Sequence, residues 1–284
     1  MPTPNSPCFE VTIADRVAHI VLSRPEKLNS MIPEFWNDLP VIVRDIDRNA
    51  KARAIVISST GKHFSSGMDL SVFTRPEGVT GGGKVDPYVR AEKFRSDIRN
   101  IQASFSCLEE ARAPVIACIQ GGAIGGAVDL VSACDFRFAT RDAFFCIQEI
   151  NIAMTADVGT FPRLCKLMPE GWVRQMAYTG ERLPAARALQ LGLVNDTFDT
   201  HEAMVAHALA TAREIATKNP VAVTGSKVMI NYARDHTTSD CLDYIGVWNA
   251  AMLAGPHMGE AFAAKAEKRE PNFPDLLPLR DKAI

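Results

Sequence analysis

Short apolar runs and helical spacing alternate along the first half of the chain. Residues 17–22 and 54–58 are rich in β-branched side chains and closed by polar or turn residues, so each run predicts a strand. A strand, a helix and a second strand form a β-α-β unit, and since such crossovers are right-handed, the unit predicts a largely parallel sheet. The helix is predicted over residues 32–49, where apolar side chains recur at helical spacing: Phe35, Leu39, Ile42, Val43 and Ile46.

Further apolar runs extend this pattern. Residues 114–119 predict a third strand, and residues 136–139 and 143–147 are candidates for two more. By contrast, residues 75–88 contain three consecutive glycines and two prolines, which are typical of turns and loops. We expect this segment to be a mobile surface loop.

From about Thr200 the pattern becomes helical. Apolar residues recur at helical spacing over residues 203–217, 222–234 and 242–254, without strong strand patterns between them. Residues 270–284 are rich in proline and charge, which favours an irregular tail. We therefore predict an α/β core over residues 1–199 and an α-helical region over residues 200–284.

Composition narrows the functional classes. The 284 residues carry a formal net charge of −2, so the chain lacks the basic character of a nucleic-acid-binding protein. No apolar run approaches the roughly 18 residues that a membrane span needs. The seven cysteines show no Cys-x-x-Cys spacing and the histidines are scattered, so we expect reduced cysteines and no metal site. The first residues lack a signal-peptide pattern, which makes the cytoplasm the expected compartment.

Three acidic residues interrupt the most apolar third of the chain. They are Asp129, Glu149 and Asp157, and no basic residue lies close to them in sequence. Burying a carboxylate without a partner is costly, and crowding several together raises at least one pKa. This arrangement is better suited to moving protons than to holding a fold together. The alternatives are that Asp157 caps a helix beginning near Val158 and that Asp129 is a solvated acid in a first helical turn.

Two glycine turns could supply main-chain donors near these acids. Glycines follow the strand at residues 114–119, and a helix can begin near Ala127, so the Gly126 N–H would lack a partner and could stabilise an oxyanion. A second turn at Gly67 follows the strand at residues 54–58 and could present the Met68 N–H. The alternatives are tight helix–strand packing at the first turn and an ordinary surface turn at the second.

Several segments together carry a family resemblance. They cover residues 23–29, 64–70, 121–135 and 192–195, and in this order they resemble the crotonase (enoyl-CoA hydratase/isomerase) superfamily. The resemblance implies a spiral of β-β-α turns with an α-helical C-terminal region for trimerisation, as a homotrimer or a hexamer. It also implies an acyl-CoA thioester ligand whose oxygen lies between the N–H groups of Met68 and Gly126, with no separate cofactor.

The resemblance also implies a path for coenzyme A. The segments that align with the nucleotide and pantetheine path lie at residues 27–29 and 69–70, beside the two glycine turns. The residues expected to bind the substrate are Lys27, Asn29, Ser66, Gly67, Asp69, Leu70 and Gly125.

The acids indicate a branch within the family. A typical hydratase has glutamate at the positions of Asp129 and Glu149, and glycine at the position of Asp157. With an acid there, this chain resembles the Δ3,5-Δ2,4-dienoyl-CoA isomerases. That resemblance implies that Glu149 acts at the α-carbon and Asp157 at the ε-carbon, or the reverse, with Asp129 in support. The alternatives are an enoyl-CoA hydratase and a non-catalytic acyl-CoA-binding protein.

Overall fold

A computed structural model describes residues 6–74, 85–253 and 255–279. Most of the predicted loop at residues 75–88 lies outside these described residues, and its last two residues already belong to a helix that begins at Pro87. The first half contains β1 (Phe9–Ala14), β2 (Val17–Leu22), α1 (Pro33–Arg48), β3 (Ala54–Ser59), α2 (Ser71–Thr74), α3 (Pro87–Glu110), β4 (Val115–Ile119), β5 (Gly122–Ile124), α4 (Gly126–Ala133), β6 (Phe136–Thr140) and β7 (Phe144–Cys146).

The second half is mainly helical. It contains α5 (Thr160–Leu167), α6 (Glu170–Thr179), β8 (Arg182–Pro184), α7 (Ala185–Gln190), β9 (Asp196–Phe198), α8 (His201–Thr217), α9 (Pro220–Ala233), α10 (Thr238–Met252) and α11 (Gly255–Glu267). Residues 271–279 are irregular, as predicted for the part of the tail that the structure describes. No described helix is long and apolar enough to cross a membrane.

Two sheets result from this order. The larger sheet has the strand order β1-β2-β3-β4-β6-β9, in which β1 and β2 are antiparallel and the later pairs are parallel. The smaller sheet has the order β5-β7-β8, with β5 and β7 parallel. Successive turns of chain therefore place one strand in each sheet before a helix, as in β4-β5-α4 and β6-β7-α5. The predicted spiral of β-β-α turns and the predicted largely parallel sheet are confirmed.

Glycine makes the corner between the two sheets possible. Gly121 joins β4 to β5 with a φ of 55°, a left-handed conformation that side chains disfavour. A Cβ at this position would overlap the carbonyl oxygen of Lys62. The corner directs β5 away from the larger sheet and brings the chain to the start of α4.

Alternate residues of the larger sheet face two different cores. Ile55 and Ile57 of β3 belong to the main core, which includes α1 and α3, whereas Val56 faces the other side of the sheet. That other side is covered by α8, which buries one methionine and three alanines at four-residue spacing: Met204, Ala208, Ala212 and Ala216. The first helix after residue 200 is thus packed on the sheet, and the division of the chain at residues 199 and 200 stays a prediction.

Candidate active site

A cavity of about 680 Å³ lies where the two glycine turns meet. Its wall includes Gly67 and Met68 from one turn and Gly125 and Gly126 from the other. All three predicted acids, Asp129, Glu149 and Asp157, line the same cavity. The structure therefore brings together groups that lie far apart in the sequence.

The first turn requires glycine. Gly125 precedes α4 with φ 54° and ψ −124°, a backbone conformation that side chains rarely adopt. A Cβ on Gly125 would lie 3.1 Å from Oε1 of Glu149, so the missing side chain also makes room for that carboxyl. The turn is fixed by the Gly125 N–H, which donates to the Cys146 carbonyl at 2.9 Å. Gly126 is the first residue of α4, and its N–H donates to no other described residue.

The second turn is held against the first. The Met31 N–H donates to the Gly67 carbonyl at 2.8 Å, and the Asp69 N–H donates to the Met31 carbonyl at 3.0 Å. Met68, between these bonds, has an N–H with no acceptor among the residues that the structure describes. A Cβ on Gly67 would lie 3.2 Å from the Gly126 nitrogen, which shows how closely the two turns approach each other. The two unused donors therefore belong to one site.

Asp129 is the most deeply buried of the three acids. Its side chain lies in α4 with 1% of the residue exposed, so the alternative of a solvated acid is wrong. Its Oδ1 accepts a hydrogen bond of 2.6 Å from the N–H of Thr160, the first residue of α5. Burial raises the pKa of Asp129 to about 6, although the Thr160 bond and the charge of Arg163 oppose the shift.

The capping alternative for Asp157 is also wrong. The residue before α5 is Gly159, with no side-chain cap, and Asp129 supplies the carboxylate that accepts the free Thr160 N–H. Asp157 is half-buried, and burial raises its pKa above the ordinary value. Its carboxyl forms no hydrogen bond or ion pair with any other described residue and remains available at the cavity wall.

Glu149 begins a short 3₁₀ turn, Glu149–Ile152. Its Oε2 is buried without a hydrogen-bond partner among the described residues. Burial raises the pKa of Glu149 to about 7, and the negative charges of Asp129 and Asp157 add to the shift. A carboxyl with a pKa near neutrality can accept and return a proton at physiological pH.

The main-chain carbonyls of Asp157 and of the next residue are anchored from helices α3 and α5. Gln102 donates from Nε2 to the Asp157 carbonyl at 2.6 Å, and Arg163 donates from Nη1 to the Val158 carbonyl at 3.2 Å. Arg163 is itself held by an ion pair of 2.7 Å with Glu109. Gly159, with a φ of 130°, leaves space for this guanidinium, because a Cβ there would overlap Nη1 of Arg163.

Six of the seven predicted substrate-binding residues line the cavity, and Asn29 does not. The Asn29 side chain is buried, accepts the Arg24 N–H at 2.8 Å and donates to the carbonyls of Thr60 and His63. The Asn29 side chain thus joins these main-chain segments behind the cavity wall. The six that line the cavity are Lys27, Ser66, Gly67, Asp69, Leu70 and Gly125.

Asp69 has a definite partner set. Its carboxylate accepts hydrogen bonds from the Ser30 hydroxyl at 2.8 Å and from the Ser71 N–H at 3.0 Å. These bonds lower the pKa of Asp69 to about 2, with Ser71 contributing first and Ser30 next. Asp69 is therefore ionised and ties the Met68 turn to its neighbours.

Two cavity residues escape the sequence patterns. Trp36 lies between core positions of α1, and its buried Nε1 has no acceptor among the described residues. Arg182 begins β8, lines the cavity, and places its guanidinium carbon 4.4 Å from the centre of the Phe144 ring. Trp36 could have been found from the sequence, because it lies beside the apolar stripe of α1. Arg182 could not, because β8 is too short to have a recognisable pattern.

The groups that line this cavity are suited to proton transfer beside a developing oxyanion. It combines two unused main-chain donors with three carboxyls whose pKa values are raised. Among the described residues, no cluster of three or more histidine, cysteine, aspartate or glutamate side chains could hold a metal ion.

Comparisons with known proteins identify the family and the similar proteins. The enoyl-CoA hydratase/isomerase family matches residues 12–276. The chain is 40% identical to the mitochondrial Δ(3,5)-Δ(2,4)-dienoyl-CoA isomerase of Mus musculus, with 94% of this chain and 81% of the relative covered. It is 36% identical to the peroxisomal Δ(3,5)-Δ(2,4)-dienoyl-CoA isomerase of Arabidopsis thaliana, over 92% and 93%. Among solved structures, an enoyl-CoA hydratase from Bacillus anthracis matches with a TM-score of 0.83 at 27% identity, over 94% of this chain and 98% of that one.

Proposed function

We propose that this chain, which belongs to the enoyl-CoA hydratase/isomerase family, is an enzyme that converts 3,5-dienoyl-CoA to 2,4-dienoyl-CoA. The observation that carries the proposal is the presence of Asp157 as a third acid in the cavity, with a raised pKa and a free carboxyl. The relatives at 36–40% identity are named for the same conversion.

The first step is removal of a proton from the α-carbon. The thioester oxygen accepts hydrogen bonds from the N–H groups of Met68 and Gly126, which stabilise the negative charge of the dienolate as it forms. Glu149, in its ionised form, takes the α-proton. Its pKa of about 7 matches this role, because an ionised fraction is present at neutral pH and the base is stronger than an ordinary carboxylate.

The second step is protonation at the ε-carbon. Asp157 donates the proton, and both double bonds then become conjugated with the thioester carbonyl. Two acids are needed because the α- and ε-carbons are too far apart for one short side chain to serve both. Burial favours the protonated form of Asp157, which is the form that this step uses.

Asp129 supports the other two acids. Its bond to the Thr160 N–H connects α4, which begins at Gly126, to α5, which follows Asp157. Its negative charge also contributes to the raised pKa of Glu149. A hydratase would instead use the residue at this position to hold a water molecule, and an Oδ1 already bound to Thr160 is less suited to that role.

The wider setting is part of the proposal. The reaction belongs to fatty-acid β-oxidation, uses coenzyme A only as part of the substrate and needs no separate cofactor. The enzyme acts as a homotrimer or a hexamer, for which the apolar residues exposed on α10 provide support: Leu242, Ile245 and Val247. The cytoplasmic location stays a prediction, and the two relatives are named as mitochondrial and peroxisomal.

An absorbance assay tests the proposal directly. Mixing the protein with 3,5-dienoyl-CoA of several chain lengths should produce the long-wavelength band of a 2,4-dienoyl thioester. No band at any chain length would contradict the proposal. Loss of the conjugated absorbance of a 2-enoyl-CoA would identify a hydratase, and binding without exchange of α-protons in deuterated water would identify a non-catalytic acyl-CoA-binding protein.

A further inference from the structure

A second cavity, which we call the rear chamber, lies on the other side of the Asp157 segment. Its volume is about 670 Å³, close to that of the acid-lined cavity in front. Among the described lining residues, Asp157 and Val158 are the two that both cavities share. Asp129 and Glu149 line the front cavity alone. Asp157 is therefore the one acid of the three that also lines the rear chamber.

The rear chamber has polar groups among apolar ones in its lining and opens at the surface of the chain. Exposed residues form part of its lining: Glu110 of α3, Lys166 of α5, and Asp235 in the turn after α9. Deeper in the chamber lie the hydroxyl groups of Ser106 and the buried Ser132. These hydroxyl and charged groups can hold water by hydrogen bonds.

The charges of the rear chamber are paired. Glu109 forms ion pairs of 2.7 Å with both Arg163 and Arg234, and Lys166 pairs with Asp235. With Glu110, which also lines the chamber, three carboxylates match the three cations in number, so the chamber lacks the excess positive charge that would bind an anionic ligand. Water is the occupant that its chemistry fits best.

The proposed reaction leaves Asp157 in need of a proton. Glu149 gains the proton that leaves the α-carbon, and Asp157 loses the proton that arrives at the ε-carbon. The substrate therefore loses one proton and gains one. The enzyme must then return the Glu149 proton to solvent and restore the Asp157 proton. A bound acyl-CoA fills the front cavity and shields the front of both carboxyls.

We propose that Asp157 exchanges its proton with water through the rear chamber while an acyl-CoA occupies the front cavity. This inference rests on the proposed isomerase function. A proton from bulk solvent enters at the exposed rim and is relayed along hydrogen-bonded water in the chamber to the Asp157 carboxylate, so each water molecule gives up one proton and receives another. Glu149, which has no rear opening, returns its proton after the product leaves the front cavity. The two acids are thus reset by different routes.

Infrared spectroscopy of the bound complex tests the route. The full-length protein is saturated with octanoyl-CoA, a saturated ligand that cannot isomerise, and is mixed rapidly with deuterated water. The carboxylic C=O band of Asp157 is assigned by its loss in Asp157→Asn. We expect this band to shift much faster than octanoyl-CoA dissociates. A shift at the dissociation rate, or a bound complex without an Asp157 carboxylic band at any pH from 5 to 8, would overturn the proposal.

A pair of variants at one rear position sharpens the test. Ser106→Leu places an apolar side chain in the chamber and should slow the band shift severalfold, whereas Ser106→Thr keeps the hydroxyl and should leave the rate close to wild type. Equal shift rates in both folded variants would argue against the rear route. The measurement uses no turnover, so failure of the isomerase assay and failure of proton exchange give separate results.

Discussion

The front cavity and the rear chamber differ in how their carboxyls are partnered. In the front cavity, Glu149 and Asp157 have no ion-pair partner among the described residues, and burial raises their pKa values. In the rear chamber, Glu109 is held by two arginines and Asp235 by Lys166. The same functional group therefore serves two purposes on the two sides of the Asp157 segment. Pairing makes a carboxylate part of the framework, and burial without a partner makes it a proton carrier.

The strongest test of this contrast removes one carboxyl from each side. Asp157→Asn should abolish isomerisation, with a loss of about 10²–10⁴-fold in kcat, because the amide cannot donate a proton as the acid does. Acyl-CoA binding should be largely retained. Activity is followed by the dienoyl absorbance and binding by calorimetry.

Asp235→Asn is the matched control for that variant. Its ion pair with Lys166 is exposed and screened by solvent, so both stability and kcat should stay close to wild type. An equal loss of activity in the two variants would contradict the division between proton carrier and framework.

A second test concerns the main-chain N–H groups proposed to stabilise the oxyanion beside the unpaired acids. Gly125→Ala adds a Cβ at a φ of 54° and within 3.1 Å of Glu149 Oε1, so the turn that presents the Gly126 N–H must shift. We expect kcat to fall about 10²–10³-fold, the effect of losing one oxyanion donor. Gly171→Ala is a suitable control, because nothing lies within 4 Å of a Cβ there. Activity of Gly125→Ala comparable to the control would exclude an essential role for the turn.

A third test follows the protonation of Glu149. Because the free carboxylate is the base, kcat/KM should fall about tenfold per pH unit as the pH drops below the Glu149 pKa of about 7. The raised pKa also means that the folded state binds more protons than the unfolded state between about 4.5 and 7, so ionisation of Glu149 lowers stability as the pH rises through that range. Chemical denaturation should therefore show Glu149→Gln to be more stable, relative to wild type, at pH 8 than at pH 4. The opposite trend would mean that Glu149 is stabilised in its ionised form.

The smallest expected effect on chemistry lies in the rear chamber. Glu109→Gln removes the charge shared by Arg163 and Arg234 and should lower the free energy of unfolding by about 1.5–3 kcal/mol, the range for hydrogen bonds to charged groups. The fall in kcat should be much smaller than for Asp157→Asn, because the Gln102 bond still holds Asp157. Glu110→Gln, at the exposed rim, controls for charge alone. A loss of activity as large as that of Asp157→Asn would place Glu109 in the chemistry.

The sequence predicted the elements that have a strong internal pattern. Strands β2, β3 and β4 and helix α1 have clear periodicities, and their bounds agree with prediction to within a residue or two. Helix α3 was missed because its first half is largely exposed, so no apolar stripe marks it. Strands β5, β8 and β9 have three residues each, too few for a period to be visible.

The residues of the site could be predicted from the sequence, but the hydrogen bonds between them could not. The three acids and both glycine turns could be named because their residue types are unusual in apolar surroundings. The bond from Thr160 to Asp129 spans 31 positions, and no local pattern indicates it. For the same reason Asn29 was assigned to the substrate, although its side chain is committed to main-chain groups of distant turns.

Gly159 and Arg163 have a consequence for how this chain can vary over evolution. The Arg163 guanidinium occupies the space that a side chain at position 159 would need. A substitution at either position alone is therefore unfavourable. A larger residue at 159 would displace Arg163 from the Val158 carbonyl, and a shorter residue at 163 would leave a gap beside the glycine. The two positions should therefore covary among related sequences, because a change at one favours a compensating change at the other.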